Sequence, residues 1–171
     1  MHLGEAFVGE GAEAAHLNTV LGDRHGPAGI AWATALATPR EGHAAFVVVA
    51  QPNLPVKPMT LFVNKAMIES EAHAALTWGA AQLGVASGVL DAVSDGILTK
   101  DLLNTTALIT AVWVSPEATD ADAVYENNRL ATTQALANAM KDEPKISELL
   151  AVRDHPINGY YVPKTLRADA T

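Results

Sequence analysis

A two-layer α/β domain, strands backed by helices, is the fold class that three features of this chain predict. Short apolar runs that read as strands occur at residues 4–8, 44–50, 60–63 and 105–114. Segments with apolar residues three and four apart lie between and after them, at 27–38, 71–94 and 120–141. Glycine and proline punctuate the junctions. At 171 residues the chain is the size of one domain, read as 1–144, followed by a segment of different character at 145–171.

In order, Gly4–Val8 is predicted as a strand that Gly9–Gly11 turns back on itself. The next run, Ala14–Leu21, alternates: His16, Asn18 and Val20 share one face, and Ala15, Leu17, Thr19 and Leu21 share the other. Pro27 suits the first position of a helix to about Thr38, with Ile30, Ala33, Leu36 and Ala37 as its apolar side. Ala44–Ala50 is apolar throughout and reads as one strand buried on both faces. Gln51–Lys65 (QPNLPVKPMTLFVNK) follows, with strand Thr60–Val63 inside it. Its prolines at 52, 55 and 58 predict a stiff, extended connection unable to join a helix or a central ladder, presenting Asn53, Lys57, Asn64 and Lys65. Ser70 is an expected N-cap for a helix from Glu71, with a break at Gly79 and a second helix to about Ser94. There Val85, Val89 and Val93 form a stripe, and Gly84 and Gly88 mark a face of close packing. A strand at Thr105–Val114 precedes a helix capped by Thr119 or Asp120 and running to about Lys141, with Val124, Asn128, Ala131, Ala135 and Ala139 inward. Residues 145–171 predict an extended tail with one short helix at Ile146–Val152, whose Tyr160/Tyr161 pair is a candidate for docking on a neighbour.

Composition narrows the function. Hydrophobic residues make up 49% but aromatics only 5%, so the core is built from Ala, Val, Leu and Ile, and apolar surface is left for a partner subunit. A net charge of −8 with no basic run excludes a nucleic-acid footprint. Without cysteine there is no disulfide, thiolate metal site or cysteine nucleophile, which fits a reducing compartment. The N-terminus lacks the layout of a signal peptide, and no apolar run is long enough to span a bilayer, so a cytoplasmic protein without membrane contact is expected. None of the six histidines has a partner four residues away, so no metal site is expected. Nucleotide-binding and serine-hydrolase motifs are absent. His16 remains the best candidate acid or base, with the amide of Asn18 on its face; Lys65 and Gln82 are further polar candidates.

Three blocks in register carry a resemblance. PNLPVKPMTLFVNK at Pro52–Lys65 is similar to PNLP-x-KP-x-TL-x-x-NK, the most diagnostic segment of the formaldehyde-activating enzyme family. EAFVGEGAEAAHLN at Glu5–Asn18 and GAAQLGVASGVLDAVSDGI at Gly79–Ile97 resemble two further blocks of that family. The resemblance implies a fold of the ribosomal-protein-S5 domain-2-like type and a homopentamer with sites between subunits. It implies condensation of formaldehyde with tetrahydromethanopterin as co-substrate, a lyase reaction of methylotrophic one-carbon metabolism and formaldehyde detoxification, without metal or tightly bound cofactor. By position it puts the catalytic histidine on His16 and the pterin contacts on Asn18, Val47, Lys65, Met67 and Gln82. Two positions depart from the family: it has Asp at Asn18 and Thr at Met67. These departures leave a second reading open, a paralogue that binds a reduced pterin or its formaldehyde adduct as carrier or sensor.

Overall fold

The fold is known from a computed structural model that describes residues 1–167. Five strands form one mixed sheet in the order β1-β2-β7-β6-β3. These are β1 (His2–Val8), β2 (Ala15–Asp23), β3 (Phe46–Val47), β6 (Met59–Asn64) and β7 (Thr106–Trp113). β2 pairs antiparallel with both β1 and β7, β6 and β7 pair in parallel, and β3 closes the far edge antiparallel to β6. A separate two-stranded hairpin consists of β4 (Val49–Gln51) and β5 (Leu54–Pro55).

One face of the sheet is covered by α3 (Gln82–Ser94) and α5 (Ala121–Met140). Leu17, Leu21, Phe62, Leu108 and Val112 meet Val85, Val89, Ala131, Ala135 and Leu136 there, all fully buried. Each such aliphatic side chain contributes about 1.5–3 kcal/mol by leaving water. The predicted stripe of α5 is the one observed: Val124, Asn128, Ala131, Ala135 and Ala139 are all buried. Gly84 and Gly88 do mark a close approach, because a Cβ on Gly88 would stand 2.5 Å from the carbonyl oxygen of Arg129 and 2.6 Å from Cβ of Thr132. Arg129 closes this helix pair from outside, donating Nε and a terminal nitrogen to the two carboxylate oxygens of Asp91 at 2.6 and 3.0 Å. Asp120 is the N-cap of α5, accepting from the backbone of Asp122 and Ala123. Ser70 likewise caps α2 (Glu71–Ala75), accepting from the backbone N–H of His73.

Four expectations are corrected. The run Ala44–Ala50 is two short strands, with half-buried Phe46 and Val47 on β3 and Val48 alone fully buried. Gln51–Pro58 is no extended strut: Asn53 takes a left-handed φ of 68°, which turns the chain so that Gln51 pairs with Leu54. Gly79 does not break its helix, since α2 continues into α3 through a π turn at Leu76–Ala81 held by packing on α5. Finally, α1 (Pro27–Ala37) leaves Ile30 and Leu36 exposed at 67% and 38% and rests on the sheet through its small residues, Ala28 being buried. A short helix without a sequence expectation, α4 (Lys100–Thr105), leads into β7.

α1 lies against β2, β7 and β6, with the methyl of Ala28 beside Gly22. It therefore covers only the Gly22 end of the second face. The other end, where His16 lies, is left uncovered by α1. Beyond α5 come α6 (Ile146–Ala151) and α7 (Lys164–Arg167). Tyr160, a candidate for docking on a neighbour, packs instead on Phe7 and Trp113 of its own chain. Residues 168–171 of the expected tail lie outside the described residues.

Candidate active site

β2 carries the centre of the site. Ala15, Leu17, Thr19 and Leu21 are buried on the helical side, so alternation turns His16, Asn18 and Val20 to the open face, as the sequence pattern predicts. The register then fixes their neighbours. Phe7 stands opposite His16 on β1 and Trp113 opposite it on β7; Glu5 and Ala111 flank Asn18 in the same way. Diagonally across the β1–β2 pair, Nε2 of His16 lies 3.2 Å from Oε1 of Glu5. The His16 side chain is 34% exposed, so a small molecule from solution can reach it.

Lys65 arrives from the other side. The backbone N–H of Lys65 extends the β6–β7 ladder by donating to Val112 at 2.8 Å. The turn that follows is pinned by buried Asn64, whose amide donates to the carbonyls of Gly42 at 2.8 Å and Ala66 at 2.7 Å. With its backbone fixed, Lys65 reaches across β7 and donates from Nζ to Oδ1 of Asn18. Partial burial lowers its pKa from the ordinary lysine value, and the nearby Glu5 carboxylate opposes that shift. A folded-state value below the unfolded one means that the unfolded chain binds more protons, so this group adds stability as pH rises towards the lysine range. Removing the opposing charge should lower the value further. In Glu5→Gln the Cε resonance of Lys65, followed by NMR, is expected to titrate at lower pH than in the wild type, and an unchanged midpoint contradicts the coupling.

The remaining candidates lie apart from this group. Gln82 is buried, and both ends of its amide are engaged by one residue: Oε1 accepts from the backbone N–H of Val49 at 2.7 Å, and Nε2 donates to its carbonyl at 3.3 Å. Gln82 thus latches α3 to β4. With Val47, Phe46 and Trp78 it lines a shallow apolar hollow of about 460 Å³. Met67, 48% exposed, lies against Gly42 on the turn after Lys65. So the chain brings His16, Asn18 and Lys65 together, sets Val47 with Gln82 elsewhere, and places Met67 with neither.

Glu5, Phe7 and Trp113 were not singled out from the sequence. For Glu5 and Phe7 the signal was present in the hairpin around Gly9–Gly11, because a fixed register makes the numbers of paired residues add to a constant; Trp113 depends on the pairing of β2 with the distant β7. Among the described residues no group of three or more His, Asp or Glu is gathered as metal ligands would be. No helix among them is long and apolar enough to cross a membrane.

Comparison with known proteins bears on what these groups do. The sequence profile of the formaldehyde-activating enzyme family matches residues 3–160, which takes in most of the segment after α5. The chain is similar to a 5,6,7,8-tetrahydromethanopterin hydro-lyase of Methanosarcina barkeri, with 42% identity over 157 residues, 90% of this chain and 88% of that protein. It is also similar to bifunctional enzymes Fae/Hps of Methanocella arvoryzae and Methanothrix thermoacetophila, at 39% and 38% identity over 95% and 94% of this chain. It spans 42% of the length of each of those two. A family match over nearly the whole chain and this level of identity together establish that the chain belongs to the formaldehyde-activating enzyme family.

Proposed function

We propose that this chain condenses formaldehyde with tetrahydromethanopterin to 5,10-methylenetetrahydromethanopterin and water, with His16 as general acid. The observation that carries this reading is the pairing of His16 with a carboxylate on an open sheet face, next to a lysine held in place by Asn18. The relative named as a tetrahydromethanopterin hydro-lyase supports the substrate pair.

The chemistry follows from the groups present. One pterin nitrogen attacks the carbon of formaldehyde and forms a carbinolamine. The difficult step is breaking its C–O bond, because hydroxide is a poor leaving group. An imidazolium at His16 gives its proton to that oxygen, which departs as water while the nitrogen lone pair forms an iminium. The second pterin nitrogen closes the ring, and the proton it sheds restores the imidazolium. General acid catalysis of this kind contributes typically about 10²–10⁴-fold, and holding both nitrogens by the carbon adds the advantage of proximity.

An amide at position 18 carries no charge, whereas the Glu5 carboxylate one strand away lies 3.2 Å from Nε2 of His16, close enough to pair with an imidazolium there. Asn18 instead holds Lys65, whose ammonium faces the pterin. The Val47/Gln82 hollow stands away from His16 in a single chain, which supports a site assembled between neighbouring subunits of a homopentamer: the His16 group comes from one and the hollow, with Met67, from the next. Such an enzyme would serve one-carbon metabolism and formaldehyde removal in the cytoplasm.

The test is the initial rate of methylene-tetrahydromethanopterin formation with purified protein. The expected rate exceeds the spontaneous one and saturates in the pterin. A rate equal to the spontaneous one overturns the reading.

A further inference from the structure

The segment after α6 folds back over the His16 row. Its tip is a tight turn: Oδ1 of Asn158 accepts from the backbone N–H of both Tyr160 and Tyr161 at 2.9 Å, and Asn158 and Tyr161 also pair through their backbones. This turn holds out the ring of Tyr160. The ring packs edge-on against Phe7 at 5.8 Å and against Trp113 at 5.3 Å between centroids. Phe7 and Trp113 are the two register partners of His16, one on each side. They sit two strand spacings apart, roughly 10 Å. A ring that close to both must lie nearly midway between them, above the strand that carries His16.

The contact is specific in shape and weak in extent. Gly159 lies so close to the Phe7 ring that a Cβ there would overlap it. Partial burial against these rings raises the pKa of the Tyr160 phenol from its ordinary value, although the residue stays 60% exposed. Yet Arg153–Tyr161 is exposed throughout, so few buried contacts hold the segment down and it can open at small cost. Phe7, Trp113, Gly159 and Tyr160 form one side of a hollow of about 880 Å³ that runs on past the His16 row to residues 9–12, Ser115 and Glu117 at the hairpin end of the sheet.

We propose that the strap Pro156–Pro163 is a lid on the His16 site, and that Tyr160 at its tip is a specificity-determining residue whose ring, with Phe7 and Trp113, packs on the planar pyrimidine half of the reduced pterin. This rests on the condensation activity proposed above. The walls explain a preference for a fused ring: formaldehyde alone is too small to touch them. The Tyr160 hydroxyl makes no hydrogen bond among the described residues, so its stacking surface is the part that acts.

The test compares full-length wild type, Tyr160→Ala, Tyr160→Phe and Gly159→Ala in initial-rate assays with tetrahydromethanopterin as the varied substrate. Stacking is a uniform binding term, so Tyr160→Ala should raise KM for the pterin on the order of tenfold while kcat hardly moves. Tyr160→Phe should keep the wild-type KM. Gly159→Ala pushes the strap off Phe7 without altering any ring and should raise KM as Tyr160→Ala does. Emission of Trp113 should change in Tyr160→Ala with no ligand present, which reads the contact independently of turnover. An unchanged KM in Tyr160→Ala, or a Tyr160→Phe as impaired as Tyr160→Ala, overturns the lid while leaving the activity intact. Wild-type protein that neither binds nor turns over the pterin sinks the activity reading, and the lid with it.

Discussion

Replacing His16 with alanine should lower kcat on the order of 10²–10⁴-fold and leave pterin affinity within a small factor of the wild type. Several contacts make this a clean experiment. His16 points to the open face, and its partner Glu5 is 59% exposed, so truncation leaves no buried charge stranded. The core beneath it, Leu17 and Val112, faces the other way and is untouched. Lys65 and Asn18 hold each other rather than His16, so the lysine keeps its place. The loss therefore falls on the chemical step. Initial rates beside calorimetric titration of the pterin separate the two terms, and a variant that loses binding and rate together contradicts an acid role. Spontaneous condensation sets the floor below which no rate can fall.

Gly88→Ala should destabilise the fold by about 1–2 kcal/mol, against the usual trend. In a helix interior alanine is better than glycine by roughly 1 kcal/mol, so loose packing here would make the change stabilising. The structure sets the opposite sign. The new methyl would meet the Arg129 carbonyl at 2.5 Å and Cβ of Thr132 at 2.6 Å, both on the facing helix and neither the far end of a flexible chain. One helix must retreat, and overpacking of this kind costs about 1–3 kcal/mol, with the cavities opened along Val85 and Val89 adding to it. A thermal or urea melt measures the difference; a raised midpoint shows that α3 and α5 are farther apart than described.

What the sequence made legible was whatever a single element determines by itself. The α5 stripe, the Ser70 and Asp120 caps, the alternation of β2 and the glycine face of α3 all follow from local period and chemistry, and all are observed. Expectations failed where a neighbour decides. Ala44–Ala50 looked like one buried strand because apolarity alone does not reveal that the chain leaves β6 after Val48 and pairs with β5, where Val49 meets Gln82. The three prolines of Gln51–Lys65 pointed to an extended strut, but a left-handed Asn53 outweighed them. Gly79 looked like a helix break, yet packing on α5 carries the helix through it as a π turn.

The site divides along the same line. His16 and Asn18 share a face by period alone, whereas Glu5 depends on the β1–β2 register and Lys65 on a parallel pairing of strands far apart in sequence. Asn18 read alone looks like the loss of a carboxylate. In the folded chain the carboxylate beside His16 is Glu5, two residues away across the ladder.

The central claim is that a proton from His16 expels the carbinolamine hydroxyl. The dependence of kcat on pH, measured in wild type and in His16→Gln at saturating pterin and formaldehyde, tests it most directly. An acid that must be protonated predicts a wild-type kcat that falls tenfold per pH unit once that acid is lost, and a low, flat profile in His16→Gln. A falling limb that survives in His16→Gln would contradict the account and assign the proton to another group.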